Sequence, residues 1–156
     1  MKSLPKFQIT AIIIALSFAM SNCSGDKKTD AAPVSAAADN DPMKNKGIGP
    51  VTSVTLGALD DAMADKGKVT FAAKCTACHN TPDIDTKKIG PSLKSVTKRR
   101  TPEWIMNQIL NPSEMTQKDP IAKELLGKYI AQMANQNLTQ DEARQVLEYF
   151  RQNDSK

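Results

Sequence analysis

The stretch Cys75-Thr76-Ala77-Cys78-His79 decides how this chain is read. Two cysteines two residues apart, followed at once by histidine, form the attachment sequence for a c-type haem. One turn of chain presents two thiols to the two haem vinyl groups, and the histidine supplies one axial nitrogen to the iron. Two other chemistries share Cys-x-x-Cys, the redox dithiol and half of a zinc site. The chain holds three cysteines and one histidine in all. A zinc site would have to take Cys75, Cys78, His79 and a carboxylate, with no second cluster to close it. A dithiol of the thioredoxin kind would sit in a βαβ pattern, and no strand-rich pattern is visible.

Upstream, the sequence reads as an export signal. Lys2 and Lys6 precede an apolar run, Ile9 to Met20 (ITAIIIALSFAM). Its length suits a signal peptide and falls short of the roughly 20 residues needed to span a bilayer. Cys23 follows at once and is the odd cysteine. Met20-Ser21-Asn22 makes a loose lipobox, so residues 1–22 are expected to be a cleaved signal and Cys23 a lipid anchor. A cleaved soluble export signal and an uncleaved anchor are the alternatives. The folded part is then a membrane-anchored bacterial lipoprotein facing the periplasm, the compartment in which haem is attached to cysteines. Residues 23–58 read as a lipidated tether. SGDKKTDAAPVSAAADNDP is small, charged and Pro/Ala-rich, with too little apolar surface to offset the entropy of ordering. The piece that follows, from Lys46 to Gly57, has β-branched residues and glycines and either drapes over the domain or hangs loose.

The globular part is placed at residues 59–153, one small domain that a haem would help to fill. Its pattern is helical throughout. A helix leads into the haem motif. Thr101-Pro102-Glu103 starts another through Trp104 and Ile109 that stops before Asn111-Pro112. Asp119-Pro120 repeats the start signal, and Thr139-Gln140-Asp141-Glu142 is a capping box for the last helix. The fold expected is all-α, about four helices around one covalent haem. The formal charge of +4 falls to +2 without Lys2 and Lys6, and two haem propionates bring it near zero. The basic balance therefore gives no argument for nucleic acid.

Over about residues 60–151 the chain resembles class I cytochromes c. Gly67, Phe71 and Cys75 repeat the family's four-residue spacing of glycine, aromatic and first haem cysteine. The resemblance implies that this helix crosses the C-terminal one closely, against Val146, Tyr149 and Phe150. Gly90-Pro91-Ser92-Leu93 is similar to the family's Gly-Pro-x-Leu segment. That implies a hydrogen bond from His79 to the Pro91 carbonyl; on pattern alone Gly90-Pro91 is equally an ordinary turn.

His79 is the only histidine, so a second histidine ligand from the same chain is excluded. Met106 sits in an apolar helix and reads as core. The family's ligand methionine lies on the loop before the C-terminal helix, which favours Met133, six residues before Thr139; Met115, which reads as lying in a loop after Asn111-Pro112, is the fallback. Ala134 departs from the family, where proline is common. A gap-filling role for Met133 is the plain alternative.

Two axial ligands leave no open iron site, which makes an electron carrier rather than an enzyme. Lys87, Lys88, Lys94, Lys98, Arg99 and Arg100 form a basic cluster suited to docking on acidic redox partners, or simply a solvated face. The runs WIMNQILNPSEMTQKDPIAKELLGKY and NQNLTQDEARQVLEYF resemble small lipoprotein cytochromes c associated with bacterial nitrous-oxide respiration. That resemblance implies a quinol-oxidising complex as donor and an exported terminal reductase, such as nitrous-oxide reductase, as acceptor. The competing readings are a haem enzyme or ligand-binding protein with an open sixth site, and a haem subunit fixed in one respiratory complex. The 77 residues after His79 exclude the four-helix gas-binding cytochromes, whose motif lies near the C-terminus.

Overall fold

A computed structural model describes residues 40–156. The signal region, Cys23 and the first part of the tether lie outside them. Five α-helices are described: α1 (Asp61–Lys74), α2 (Pro102–Leu110), α3 (Pro112–Lys118), α4 (Pro120–Tyr129) and α5 (Gln140–Asp154), with a 3-10 turn at Val96–Lys98 before α2. There is no strand among the described residues.

The helix starts follow from local chemistry. Asp60, Thr101, Asp119 and Thr139 each accept a hydrogen bond from a backbone N–H in the first turn, and Thr139 and Glu142 form a reciprocal capping box. Proline opens α2, α3 and α4, where its missing N–H costs nothing. The sequence signals placed Met115 in a loop after Asn111-Pro112. That dipeptide starts α3 instead, which raises the count from about four helices to five.

α1 crosses α5 at Gly67. A Cβ there would lie 1.9 Å from the Gln145 carbonyl oxygen, so only glycine allows this approach. One turn on, the ring of Phe71 packs between Tyr149 and Phe150, with centroids 5.6 and 5.7 Å away, tilted and edge-on respectively. Glu148 is fully buried behind the crossing. It accepts from the Asp60 N–H at 3.0 Å and from Arg151 at 2.7 Å, and it pairs with Arg144. The start of α1 is thereby tied to α5 by charge-assisted bonds.

The folded unit begins earlier than residue 59. Residues 45–54, which the sequence reading gave to the tether, lie along α2. Asn45 and Val51 are buried. The Asn107 side chain accepts from the Val51 N–H at 3.0 Å and donates to the carbonyls of Lys46 and Val51, both at 2.9 Å. Asn45 donates to the buried carboxylate of Asp119 at 2.6 Å, and the same carboxylate holds the Trp104 indole N–H at 3.1 Å. This strap has few apolar side chains, and its sequence left it either draped over the domain or loose; it is draped, with the buried Asn107 amide of α2 bonded to its backbone. Met115, also fully buried, accepts from the Ile48 N–H at 3.0 Å.

Two outcomes are expected. Gly67→Ala forces α1 and α5 apart, costing on the order of 3 kcal/mol; calorimetry of the haem-loaded protein should show a melting temperature lower by on the order of 10–20 °C. Glu148 is the second. Burial alone would raise its pKa, but the hydrogen bonds from the Asp60 N–H and both arginines outweigh burial and hold it below the usual 4.5. Its contribution is therefore complete above that range and is lost as pH falls through the depressed value. Glu148→Gln should lose about 2–3 kcal/mol at neutral pH, and the gap to wild type should shrink in melts below about pH 4.

Candidate haem site

The haem motif hangs from the C-terminal end of α1. The Cys75 N–H bonds to the Phe71 carbonyl at 2.8 Å and ends the helix. The N–H groups of Cys78 and His79 then both turn back to the Cys75 carbonyl, at 3.1 and 2.9 Å. These bonds wind residues 75–79 into one compact turn. The Gly90 N–H donates to the Cys78 carbonyl at 2.9 Å, and Lys88 Nζ reaches the Thr76 carbonyl at 2.6 Å. The loop that carries Pro91 is thereby docked on the motif.

His79 Nδ1 lies 3.0 Å from the Pro91 carbonyl oxygen. With its proton on Nδ1, the ring keeps Nε2 free as a ligand, and the carbonyl makes that nitrogen more basic. A Cβ on Gly90 would meet the imidazole at 2.4 Å, so glycine at this position makes room for the ring. Burial lowers the pKa of His79, and the Pro91 contact offsets this only in part. The ring is neutral at neutral pH, as a metal ligand must be. The Pro91 loop is fixed at its far end by Asp154 of α5, which accepts from the N–H groups of Ser95 and Thr97 at 2.8 and 2.9 Å.

Cys75, Cys78 and His79 line one cavity with side chains from α1, α2, α4 and α5. Its walls are largely apolar: Phe71, Leu93, Val96, Trp104, Ile109 and Leu125 contribute. The charged residues on its lining are Lys74, Arg99 and Arg100, with no carboxylate. Arg100 lies over the Trp104 ring at 5.2 Å, and Arg99 folds back onto the carbonyls of Ser92, Lys94 and Ser95. Two thiols, one free imidazole nitrogen, an apolar slot and cations on its wall fit a haem with two propionates. They do not fit the other two chemistries of Cys-x-x-Cys. Burial pushes the Cys75 thiol up to about 11, the reverse of a reactive dithiol. Among the described residues no three His, Cys, Asp or Glu side chains converge as a metal site.

The remaining sequence candidates separate. Met133 is half-buried and lines the same cavity. Met115 is not on the lining; it is locked in the core by α3 and the strap. Met106 is core as well. Of the basic cluster, Lys87, Lys88, Lys94, Lys98 and Arg99 are exposed and Arg100 is half-buried; Arg99 and Arg100 border the cavity. Sequence reasoning missed Gln108, which lines the cavity next to Met133, with Nε2 3.8 Å from the sulfur. Its place one residue before buried Ile109 on α2 was the only signal.

Comparison with known proteins agrees with this geometry. The family model for cytochrome c matches residues 64–154. A cytochrome c from Rhodothermus marinus superposes with a TM-score of 0.65 at 44% identity, covering 69% of this chain and 90% of that one. An engineered form of that cytochrome, Rma TDE, superposes with a TM-score of 0.65 at 43% identity, covering 69% and 92%. The same engineered protein bound to a carbene intermediate gives 0.63 at 44% identity, with the same coverage. No curated protein sequence matches the chain. With the family model matching more than half its length and the Cys75, Cys78 and His79 turn in place, the chain belongs to the cytochrome c family, as an all-α haem c electron-transfer protein.

Proposed function

We propose that this chain is an exported, lipid-tethered carrier of single electrons, with its iron held between His79 and Met133. The observation that carries the reading is the position of Met133. Its side chain borders the cavity that also holds Cys75, Cys78 and His79, whereas Met115 is sealed in the core. The bound haem supplies one-electron chemistry at its iron. The chain's own residues do the rest. Cys75 and Cys78 hold the group covalently, and Pro91 orients His79. Arg99 and Arg100 stand where they can pair with the propionates. A thioether from Met133 favours the ferrous state relative to a second nitrogen. It also occupies the position a substrate would need, which argues for a carrier rather than an open-site enzyme.

Cys23 is the proposed lipid anchor. Among the described residues no helix is long and apolar enough to cross a membrane. Anchoring at the membrane would raise the domain's effective concentration near membrane-bound partners. Exposed Lys87, Lys88, Lys94 and Lys98 each lie within two residues in sequence of Ile89, Leu93 or Arg99, which line the cavity. They would steer docking on acidic surfaces while leaving the complex short-lived. The proposed donor is a quinol-oxidising complex. The proposed acceptor is an exported terminal reductase, and nitrous-oxide reductase is the candidate that the sequence resemblance favours.

Two experiments test this reading. Met133→Ala should abolish the weak long-wavelength sulfur-to-iron band of the oxidised protein, lower its potential and open the iron to carbon monoxide. Met115→Ala should keep the band but cost about 2–5 kcal/mol of stability. Native protein that already binds carbon monoxide readily would favour the open-site enzyme. Cys23→Ser should move the haem-loaded protein from membranes to the soluble fraction; a wild-type protein already soluble would end the anchor proposal.

A further inference from the structure

We propose that Asp154, at the end of α5, is a positioning residue for the axial histidine: its carboxylate sets the loop that carries Pro91, and through the Pro91 carbonyl it holds the His79 ring and biases the centre toward the oxidised state. The inference rests on the reading of His79 as the iron's nitrogen ligand. Asp154 is the last residue of α5 and is 8% exposed. A carboxylate there stands at the negative end of the helix dipole, where a lysine or an amide would serve the helix better. Burial adds a desolvation cost. Helix stability therefore does not explain the residue. The three bonds that its oxygens accept all come from one loop: the Ser95 N–H at 2.8 Å, the Thr97 N–H at 2.9 Å and the Thr97 hydroxyl at 2.6 Å.

The loop needs that support. Ser95 opens the 3-10 turn at φ 55°, a left-handed conformation uncommon for a residue with a Cβ, and its side chain makes no capping bond. The Asp154 carboxylate caps the turn in its place. Arg99 gathers the other side of the loop, donating to the carbonyls of Ser92, Lys94 and Ser95. Ser92, the residue after Pro91, is thus bound through Arg99 to the same Ser95 that Asp154 holds. Before Pro91, the Gly90 N–H bonds to the Cys78 carbonyl. Pro91 is suspended between these two anchors, with its carbonyl oxygen 3.0 Å from His79 Nδ1. Release of the Asp154 anchor would let that carbonyl drift. A weaker acceptor leaves the imidazole a weaker donor to iron, and a ferric ion loses more by this than a ferrous one. Loss of the carboxylate's negative charge acts in the same direction.

The test uses the full-length, haem-loaded protein, with solvent exchange of the His79 Nδ1 proton followed by NMR in the reduced state. Asp154→Asn should quicken that exchange about tenfold, the equivalent of about 1.4 kcal/mol, and raise the midpoint potential. Thr97→Val keeps the carboxylate and its charge but removes one of its three donors; it should quicken exchange about threefold. Glycine takes the left-handed φ without strain. Ser95→Gly added to Asp154→Asn should therefore slow the exchange again about threefold and recover part of the potential. A charge acting on the iron through space alone would leave exchange unchanged, and glycine could not rescue it. Unchanged exchange in Asp154→Asn overturns the proposal, as does a double variant that exchanges as fast as Asp154→Asn. Should Asp154→Asn fail to hold haem, unchanged exchange in Thr97→Val overturns it instead. If the reduced wild-type protein shows no histidine ring protons carried upfield by the haem, His79 is not the ligand and the inference falls with that reading, a result distinct from silent Asp154 variants.

Discussion

The crossing of α1 and α5 at Gly67 is the constraint on which the rest of the site depends. It brings the two helix backbones so close that a side chain at Gly67 would collide with the Gln145 carbonyl. The approach fixes both the height of α1 on α5 and its rotation. Phe71, one turn later, then fills the space against Tyr149 and Phe150, and Cys75 ends the helix one turn after that. The thiols and His79 take their place from this stack. Asp154 of α5 fixes the loop that supplies Pro91. One helix thus sets both the position of the histidine and the carbonyl that orients it.

The opposite wall is built differently. α2, α3 and α4 are short, each opened by proline, and they are held by buried polar groups as much as by apolar ones. Asp119 ties the strap, the start of α4 and the indole of Trp104 together, and Asn107 satisfies the strap's backbone. Such networks are stabilising only when every member is paired, and here the members are. Gln108, one residue beyond Asn107 on the same helix, is the departure: its oxygen is unpaired while its nitrogen faces a sulfur.

Much of this was legible in the residues. The haem motif, the Gly67-Phe71-Cys75 spacing and the capping signals at Thr101, Asp119 and Thr139 each carry a local cause, and each acts within one or two helical turns. What was not legible depended on long-range partners. Asn111-Pro112 carries the same start signal as Asp119-Pro120, yet α3 is seven residues long, too short to show a period, so Met115 read as loop. The strap has no periodicity at all; its order comes from Asn107 and Asp119, more than fifty residues away. Arg99 and Arg100 read as part of one basic face because a charge cluster does not reveal which members border a cavity. Gln108 carried no motif, since an amide among apolar residues gains meaning only once the sulfur beside it is known.

In the proposed site one cavity gathers the haem, held at Cys75 and Cys78, with a nitrogen from His79 on one side of the iron and a sulfur from Met133 on the other. X-ray absorption at the iron edge of the oxidised, haem-loaded protein tests this most directly. The expected result is a coordination shell of nitrogens with a single sulfur at bonding distance. A shell of nitrogen and oxygen alone, with no sulfur, would contradict it.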